Sequence, residues 1–150
     1  MQLFWIPASP FTRKFCVAAR ELDLSNHMDI WPTTCPLDWG YATVSFTPGL
    51  VEANPVARVP TLVTDAGEAL CDSTLALMYL NERGDGSLIP QGEAQCAMWS
   101  MYGIADGIIE AQIGMRGELL RPQKEQSPEY LRKQRERIER CFDAMEADLD

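Results

Sequence analysis

The sequence predicts an α/β domain followed by the beginning of an all-α region. Two observations support this prediction. Short apolar runs bounded by turn residues alternate with an amphipathic segment in the N-terminal part, and apolar residues recur at helical spacing after residue 92. Short bounded runs indicate strands, whereas recurrence at every third or fourth position indicates a helix. The 150 residues suit one ordinary domain or two small ones.

The N-terminal part predicts the element order β-α-β followed by β-β-α. Residues 11–22 place Phe15, Ala19 and Leu22 on one side, which is typical of an amphipathic helix. We interpret His27 as a residue of the second strand. The predicted elements are strands at 2–6, 27–31, 59–63 and 69–71, a helix at 11–22, a short helix near 50–53 and a helix from Ser73. This order is compatible with a thioredoxin-like fold that has a right-handed crossover.

The C-terminal part predicts helices. Apolar side chains keep helical spacing over residues 98–113, and Ser127-Pro128 is a strong helix start, because Ser caps the first turn and Pro fits inside it. Residues 84–90 are rich in Gly and end in Pro, which predicts a domain boundary there. The last helix has no stop signal before Asp150, so we expect the helical region to be incomplete.

Composition and charge disfavour several functional classes. The net charge of −9 argues against nucleic-acid partners, because that binding depends on lysine and arginine. No segment is suited to span a membrane or resembles a secretory signal. The five cysteines are widely spaced and odd in number, which predicts neither a disulfide framework nor a metal site. A reducing cytoplasm fits this cysteine usage best.

The junction before the Ser73 helix is a candidate binding site. Asp72-Ser73 follows an apolar run, so a helix N-terminus, which is positive by its dipole, lies directly after a strand. Such a place can hold a carboxylate. Pro60 stands at the head of a strand, and a cis Val59–Pro60 bond would turn the Val59 backbone outward to pair with an extended ligand. The sequence alone does not predict cis, which is found in about one X–Pro bond in twenty.

The segment that contains these residues resembles the glutathione-binding half of a glutathione S-transferase. The motif reads Asn54-Pro55, Val59-Pro60-Thr61-Leu62, Gly67, Leu70, Asp72-Ser73 and Tyr79-Leu80. The start Ser9-Pro10-Phe11 is similar to that of a bacterial serine-type subgroup. The resemblance implies a thioredoxin-like glutathione-binding domain at 1–84, a linker at 85–91, and a partial, truncated all-α domain at 92–150.

Ser9 lies at the turn between the first strand and helix, where a redox protein of this fold would carry Cys-x-x-Cys. Here the corresponding pair is Ser9 and Thr12, so dithiol exchange is not expected. A hydroxyl can donate a hydrogen bond to a ligand thiolate and lower the pKa of that thiol. On the residues alone a helix cap is the favoured role of Ser9. The resemblance favours thiolate stabilisation, with Thr12 as a weaker alternative.

The resemblance also implies the other glutathione contacts. Asp72 and Ser73 would hold the γ-glutamyl end, which agrees with the chemistry of a capped helix N-terminus. Val59-Pro60 would pair with the cysteinyl part of the peptide through the Val59 backbone. Arg58 would lie near the glycine carboxylate. Asp106 would reach the glutathione of a neighbouring subunit, or would be an ordinary helix acid.

The predicted function is transfer of the glutathione thiolate to small electrophilic molecules. Glutathione would be a cosubstrate, and neither a metal nor a resident cofactor is expected. The implied assembly is a homodimer. The alternative is a binding or interaction module that keeps the fold without the chemistry. Trp39 and Tyr41 lie in a long irregular segment, where they either line a substrate pocket or pack the loop onto the core.

Overall fold

The computed structural model describes residues 1–34 and 47–148, and the described residues form two compact units. Residues 1–34 and 47–90 belong to one unit, and residues 91–148 belong to the other. The domain limits inferred from the sequence stay a prediction. Trp39 and Tyr41 lie outside the described residues. None of the helices in the described part of the chain has the length and apolar character needed to cross a membrane.

The first unit is built on a four-stranded mixed sheet of β1 (Gln2–Trp5), β2 (Asp29–Pro32), β3 (Thr61–Val63) and β4 (Ala69–Leu70). The strand order is β2-β1-β3-β4. The strands β1 and β2 are parallel, whereas β3 is antiparallel to both β1 and β4. This is the predicted thioredoxin-like arrangement. The α-helices of this unit are α1 (Pro10–Glu21), α2 (Leu50–Ala53) and α3 (Ser73–Arg83).

The second strand begins later than predicted, and the interpretation of His27 as a strand residue is wrong. His27 ends a short 3₁₀ turn, Ser25–His27, that precedes β2. The His27 backbone N–H donates to the carbonyl of Leu24 at 3.0 Å. This local bond closes a turn, and the extended backbone needed for sheet pairing starts only after it.

One apolar core joins the central strands to α1 and α3. Leu3 of β1 and Leu62 of β3 are fully buried, and they contact Phe15 of α1 and Leu80 of α3 in the same cluster. The helical residues of this core recur at spacings of three and four, which explains why the amphipathic pattern of α1 is visible in the sequence. The cluster comprises Leu3, Phe15, Ala18, Ala19, Leu22, Leu62, Ala76 and Leu80.

The second unit consists of the long helix α4 (Glu93–Leu120) and helix α5 (Pro128–Ala147), which pack against each other. The helices are antiparallel, because Gly107 faces Arg137 and Gly114 faces Tyr130. A Cβ atom added at Gly114 would overlap the Tyr130 hydroxyl, whereas Cζ of the same ring would lie 3.6 Å away. Alanine at this position would therefore require the Tyr130 ring to move.

The turn between α4 and α5 is stabilised by Glu118. The Glu118 carboxylate accepts a hydrogen bond from the backbone N–H of Ser127 at 2.5 Å and lies 3.3 Å from the Arg121 guanidinium. Ser127 in turn caps α5, because its side chain accepts from the N–H of Tyr130. Gln126 donates to the Arg121 carbonyl at 2.8 Å. The backbone bond from Ser127, followed by the contacts with Arg121, lowers the pKa of Glu118.

The close approach at Gly114 predicts a coupled effect on stability. In the Tyr130→Phe background, Gly114→Ala should raise the free energy of unfolding by up to about 1 kcal/mol, because alanine is the better helix former and the obstructing oxygen is gone. With Tyr130 present the gain should be smaller, since the ring must move. Urea denaturation of the single and double variants measures both effects.

Gly103 provides the matched control for this comparison. It lies in the same helix, and among the described residues no atom outside the adjacent helix backbone lies within 4 Å of the position its Cβ would take. Gly103→Ala should therefore give the same gain in the wild-type and Tyr130→Phe backgrounds. An equal gain at Gly114 in both backgrounds would show that the tyrosine hydroxyl does not restrict the helix contact.

Glu118 predicts a pH-dependent contribution to stability. Because its pKa is lower in the folded chain than in the unfolded chain, the contribution is complete above the ordinary glutamate pKa and disappears as the pH falls through the folded value. Glu118→Gln should therefore lower the free energy of unfolding at neutral pH, and the difference from wild type should shrink in acid. Glu139→Gln, on the exposed side of α5, is the control. A difference that stays constant with pH would contradict this role.

Candidate functional site

Three junctions of the first unit lie at one end of the sheet. Phe4 near the end of β1 pairs with Thr61 at the start of β3, and Leu70 at the end of β4 pairs with Leu62. Because β3 is antiparallel to both neighbours, its beginning lies beside the C-terminal ends of β1 and β4. The turns that follow β1 and β4 and the loop that precedes β3 therefore meet at this edge. They carry Ser9, Asp72 and Val59, respectively.

Ser9 is the N-cap of α1 and is half-buried. Its Oγ accepts a hydrogen bond from the N–H of Thr12 at 3.2 Å, and its own N–H donates to the carbonyl of Ile6 at 3.1 Å. Pro10 occupies the first helical position, where no backbone donor is needed. The capping bond uses a lone pair of Oγ, so the hydroxyl proton remains available. Among the described residues no acceptor takes that proton.

Thr12, the weaker alternative to Ser9, has no contact with solvent. Its side chain is fully buried, and its Oγ1 has no hydrogen-bond partner in the described part of the chain. Thr12 shares the core-facing side of α1 with Phe15 and Ala19. A ligand that approaches from solvent meets the Ser9 hydroxyl and not that of Thr12.

Asp72 is the N-cap of α3. Its Oδ1 accepts from the N–H groups of Thr74 at 2.8 Å and Leu75 at 3.2 Å. The Asp72 side chain is exposed to solvent. Within residues 1–34 and 47–148 no group donates a hydrogen bond to its Oδ2 atom. Ser73 is the first helical residue and is only 8% exposed. The junction thus combines a positive helix end with a carboxylate oxygen that is still able to accept a hydrogen bond.

The loop before β3 presents unpaired backbone groups. The Val59–Pro60 peptide bond is cis. The described residues supply no hydrogen-bond partner for the N–H or the C=O of Val59, and Pro60 beside it is buried. Arg58 precedes this pair. Its carbonyl accepts from the Asn54 side-chain amide at 3.2 Å and from the Thr61 hydroxyl at 2.7 Å.

Asn54 and Thr61 belong to the sequence motif, but no role for either followed from the sequence. Both are fully buried in the structure. Asn54 Oδ1 accepts from the N–H of Val56 at 2.9 Å, which is an Asx-turn. An asparagine before a proline, just ahead of an apolar run, is a turn signal from which this bond could have been predicted. The contact from Asn54 to Thr61 could not, because it depends on how the loop folds back.

Asp106 and Cys16 lie on helices α4 and α1, respectively. Asp106 is a half-buried residue of α4 in the second unit, and its cross-subunit role stays a prediction. Cys16 lies in α1, and burial raises the pKa of its thiol, so the protonated form is favoured. Among the described residues no group of three histidine, cysteine or acidic side chains is arranged to hold a metal ion.

Sequence comparison relates the first unit to a known family. The family model of the glutathione S-transferase N-terminal domain matches residues 8–83. The uncharacterized GST-like protein YibF of Escherichia coli (strain K12) is 32% identical over 103 residues, which are 67% of this chain and 51% of that protein. The chain therefore spans about half the length of this curated relative.

Structural comparison extends the similarity over nearly all of the chain. A glutathione transferase family member from Pseudomonas fluorescens Pf-5, with bound glutathione, has a TM-score of 0.88 at 32% identity, covering 97% of this chain and 70% of that one. A glutathione S-transferase from Methylobacillus flagellatus KT, with GSH bound, has a TM-score of 0.84 at 27% identity, covering 99% and 69%. Since the matching family model spans just over half of the 150 residues, the chain belongs to the glutathione S-transferase family.

Proposed function

We propose that this chain binds glutathione at the edge formed by the three junctions and transfers its thiolate to small electrophilic molecules, as a serine-type transferase. The observation that carries the proposal is the convergence of three unused groups on one sheet edge. These are the Ser9 hydroxyl proton, the Val59 backbone and the Asp72 Oδ2 atom. The hydroxyl proton can bind the thiol of the tripeptide, and the Val59 backbone can pair with its central amide groups. The carboxylate oxygen can accept from its amino group.

Ser9 activates the thiol in this proposal. The Ser9 hydroxyl donates a hydrogen bond to the glutathione sulfur, and the positive end of α1 adds to the effect. Both interactions favour the thiolate over the thiol and lower the thiol pKa. The thiolate then attacks an electrophilic carbon of the second substrate, a carbon–sulfur bond forms, and the leaving group departs with the electron pair of its own bond.

The peptide is held by the other two junctions. The N-terminus of α3, with the Ser73 N–H and hydroxyl, binds the γ-glutamyl carboxylate, and Asp72 Oδ2 pairs with the γ-glutamyl ammonium. The Val59 backbone pairs with the cysteinyl residue as a short added strand, beside Pro60. Arg58, directly before Val59, is the cation for the glycine carboxylate at the open end of the loop.

The relatives support this proposal, and the remaining features are part of it. The Pseudomonas fluorescens protein was also solved with bound S-(propanoic acid)-glutathione, a conjugate of the expected type. We further propose residues 1–84 as the glutathione-binding domain and a homodimer in which Asp106 approaches the partner's glutathione. A reducing cytoplasm is the proposed location, because Cys16, Cys71, Cys96 and Cys141 are free thiols.

Asp72 should show two separable roles. Asp72→Ala removes both the cap and the charge, so it should lower the free energy of unfolding by about 1 kcal/mol. Asp72→Ser keeps a capping oxygen and should retain most of that stability. Both variants should weaken glutathione binding by about tenfold or more, since each lacks the carboxylate that pairs with the ammonium. Calorimetric titration with glutathione beside urea denaturation measures both roles, and wild-type affinity in Asp72→Ser would refute the assigned contact.

Ser9→Ala should raise the pKa of the bound glutathione thiol and lower turnover of a generic electrophile. The thiolate loses a hydrogen-bond donor in this variant. Thiolate absorbance in the ultraviolet, followed against pH in the complex, gives the pKa directly. Ser127→Ala is the matched control, because Ser127 caps α5 with the same 3.2 Å bond and also precedes a proline.

Both serine variants should lose about 1 kcal/mol of stability through the missing cap. Only Ser9→Ala should change the pKa of the bound glutathione thiol. If Ser9→Ala has normal turnover and the pKa of the bound glutathione thiol is unchanged, Ser9 is only a helix cap. The assignment of this chain as a serine-type transferase would then be wrong. Failure of the folded wild type to bind glutathione would overturn the proposed function as a whole.

A further inference from the structure

Asn54 forms a buried hydrogen-bond network inside the loop that leads to Val59. The residue is fully buried, and both the oxygen and the nitrogen of its side-chain amide form hydrogen bonds. Oδ1 accepts from the N–H of Val56, whereas Nδ2 donates to the Arg58 carbonyl at 3.2 Å and to the Thr61 hydroxyl at 2.8 Å. The Thr61 hydroxyl donates its own proton to the same Arg58 carbonyl at 2.7 Å. One backbone oxygen therefore receives two donors from buried side chains.

The backbone inside this network takes an uncommon conformation. Ala57 has a φ of 54°, in the left-handed region that a residue with a Cβ rarely adopts. Its N–H donates to the Asn54 carbonyl at 2.8 Å, which closes the turn. Such a conformation persists where the surrounding contacts determine it, and the side chains of Asn54 and Thr61 supply those contacts.

Fixing the Arg58 carbonyl also fixes the Val59 N–H. Both groups belong to one planar trans peptide unit, in which the C=O and N–H point in opposite directions. The Arg58 oxygen is directed into the buried network, so the Val59 N–H is directed away from it. That N–H has no partner among the described residues, although most backbone donors in folded chains are paired.

We propose that Asn54 and Thr61 are positioning residues that orient the Val59 N–H toward the peptide ligand. They do not touch the ligand and act through the peptide unit between Arg58 and Val59. The inference rests on the proposed function, since glutathione is the ligand that the Val59 backbone would meet. It assigns to the two buried polar residues of the motif a role in affinity that is separate from their part in stability.

Thr61→Val tests the proposal, because valine has nearly the same shape and lacks the hydroxyl. Loss of this hydroxyl should weaken glutathione binding about three- to tenfold, as expected when one ligand hydrogen bond is misaligned. Thr61→Ser restores the oxygen and should restore the affinity. The same loss is expected for the glutathione analogue in which the thiol is replaced by a methyl group, since the network acts on the peptide backbone and not on the sulfur.

Thr64→Val is the matched control for stability. Thr64 is also buried beside β3, and its hydroxyl accepts from the Glu68 N–H at 3.2 Å, in the turn at the opposite end of the strand. This variant should lose stability in urea denaturation and keep wild-type affinity for both peptides. If Thr61→Val lowers stability but binds both peptides as the wild type does, the residue is structural only and the proposal is overturned.

Amide hydrogen exchange tests the proposal in the wild-type protein, so the result does not depend on whether a variant folds. The Val59 amide should exchange rapidly in the free protein and at least about tenfold more slowly with saturating glutathione, because it then donates to the ligand. An unchanged Val59 exchange rate in a protein that binds glutathione would overturn the proposal while leaving the proposed function intact. Absence of glutathione binding would overturn the positioning role and the proposed function together.

Discussion

The first backbone N–H groups of a helix need acceptors, and the way this chain supplies them determines much of its structure. Ser9, Asp72 and Ser127 each place one side-chain oxygen on these donors. At Ser9 and Asp72 the cap leaves a second polar group unused, a hydroxyl proton and a carboxylate oxygen. Because both caps follow strands that end at the same sheet edge, the atoms that begin the helices also line the candidate site. Fold and site therefore share their interactions there.

The sequence predicts those features whose cause is local. Caps depend on residue type and position, so the residues alone indicate the helix starts at Ser127 and Asp72. The core-facing side of α1 follows from the spacing of its apolar residues, and the strands predicted at 59–63 and 69–71 follow from short apolar runs bounded by turn residues. The start of β2 is not where the sequence predicts it, because a backbone hydrogen bond from His27 to Leu24 closes a turn that the weak apolar alternation does not reveal.

The features that the sequence does not reveal depend on contacts made after the chain folds back. Glu118 has no local signal for its role, because its partner Ser127 lies nine residues further along, across the helix turn. Asn54 meets Thr61 only because the loop between them turns through a left-handed residue. In both cases the residue type signals a polar partner, but the identity of that partner is a property of the tertiary structure. The sheet edge that joins Ser9, Val59 and Asp72 likewise requires the strand order.

The residue that follows Asn54 affects how long this asparagine keeps its amide. Deamidation of asparagine ordinarily proceeds when the backbone nitrogen of the next residue attacks the side-chain carbonyl and closes a succinimide ring. Pro55 has no N–H to lose, so this route is blocked at a position where a change from amide to acid would place an unpaired negative charge in the interior. The Asn-Pro sequence thus blocks this route of deamidation as well as shaping the turn.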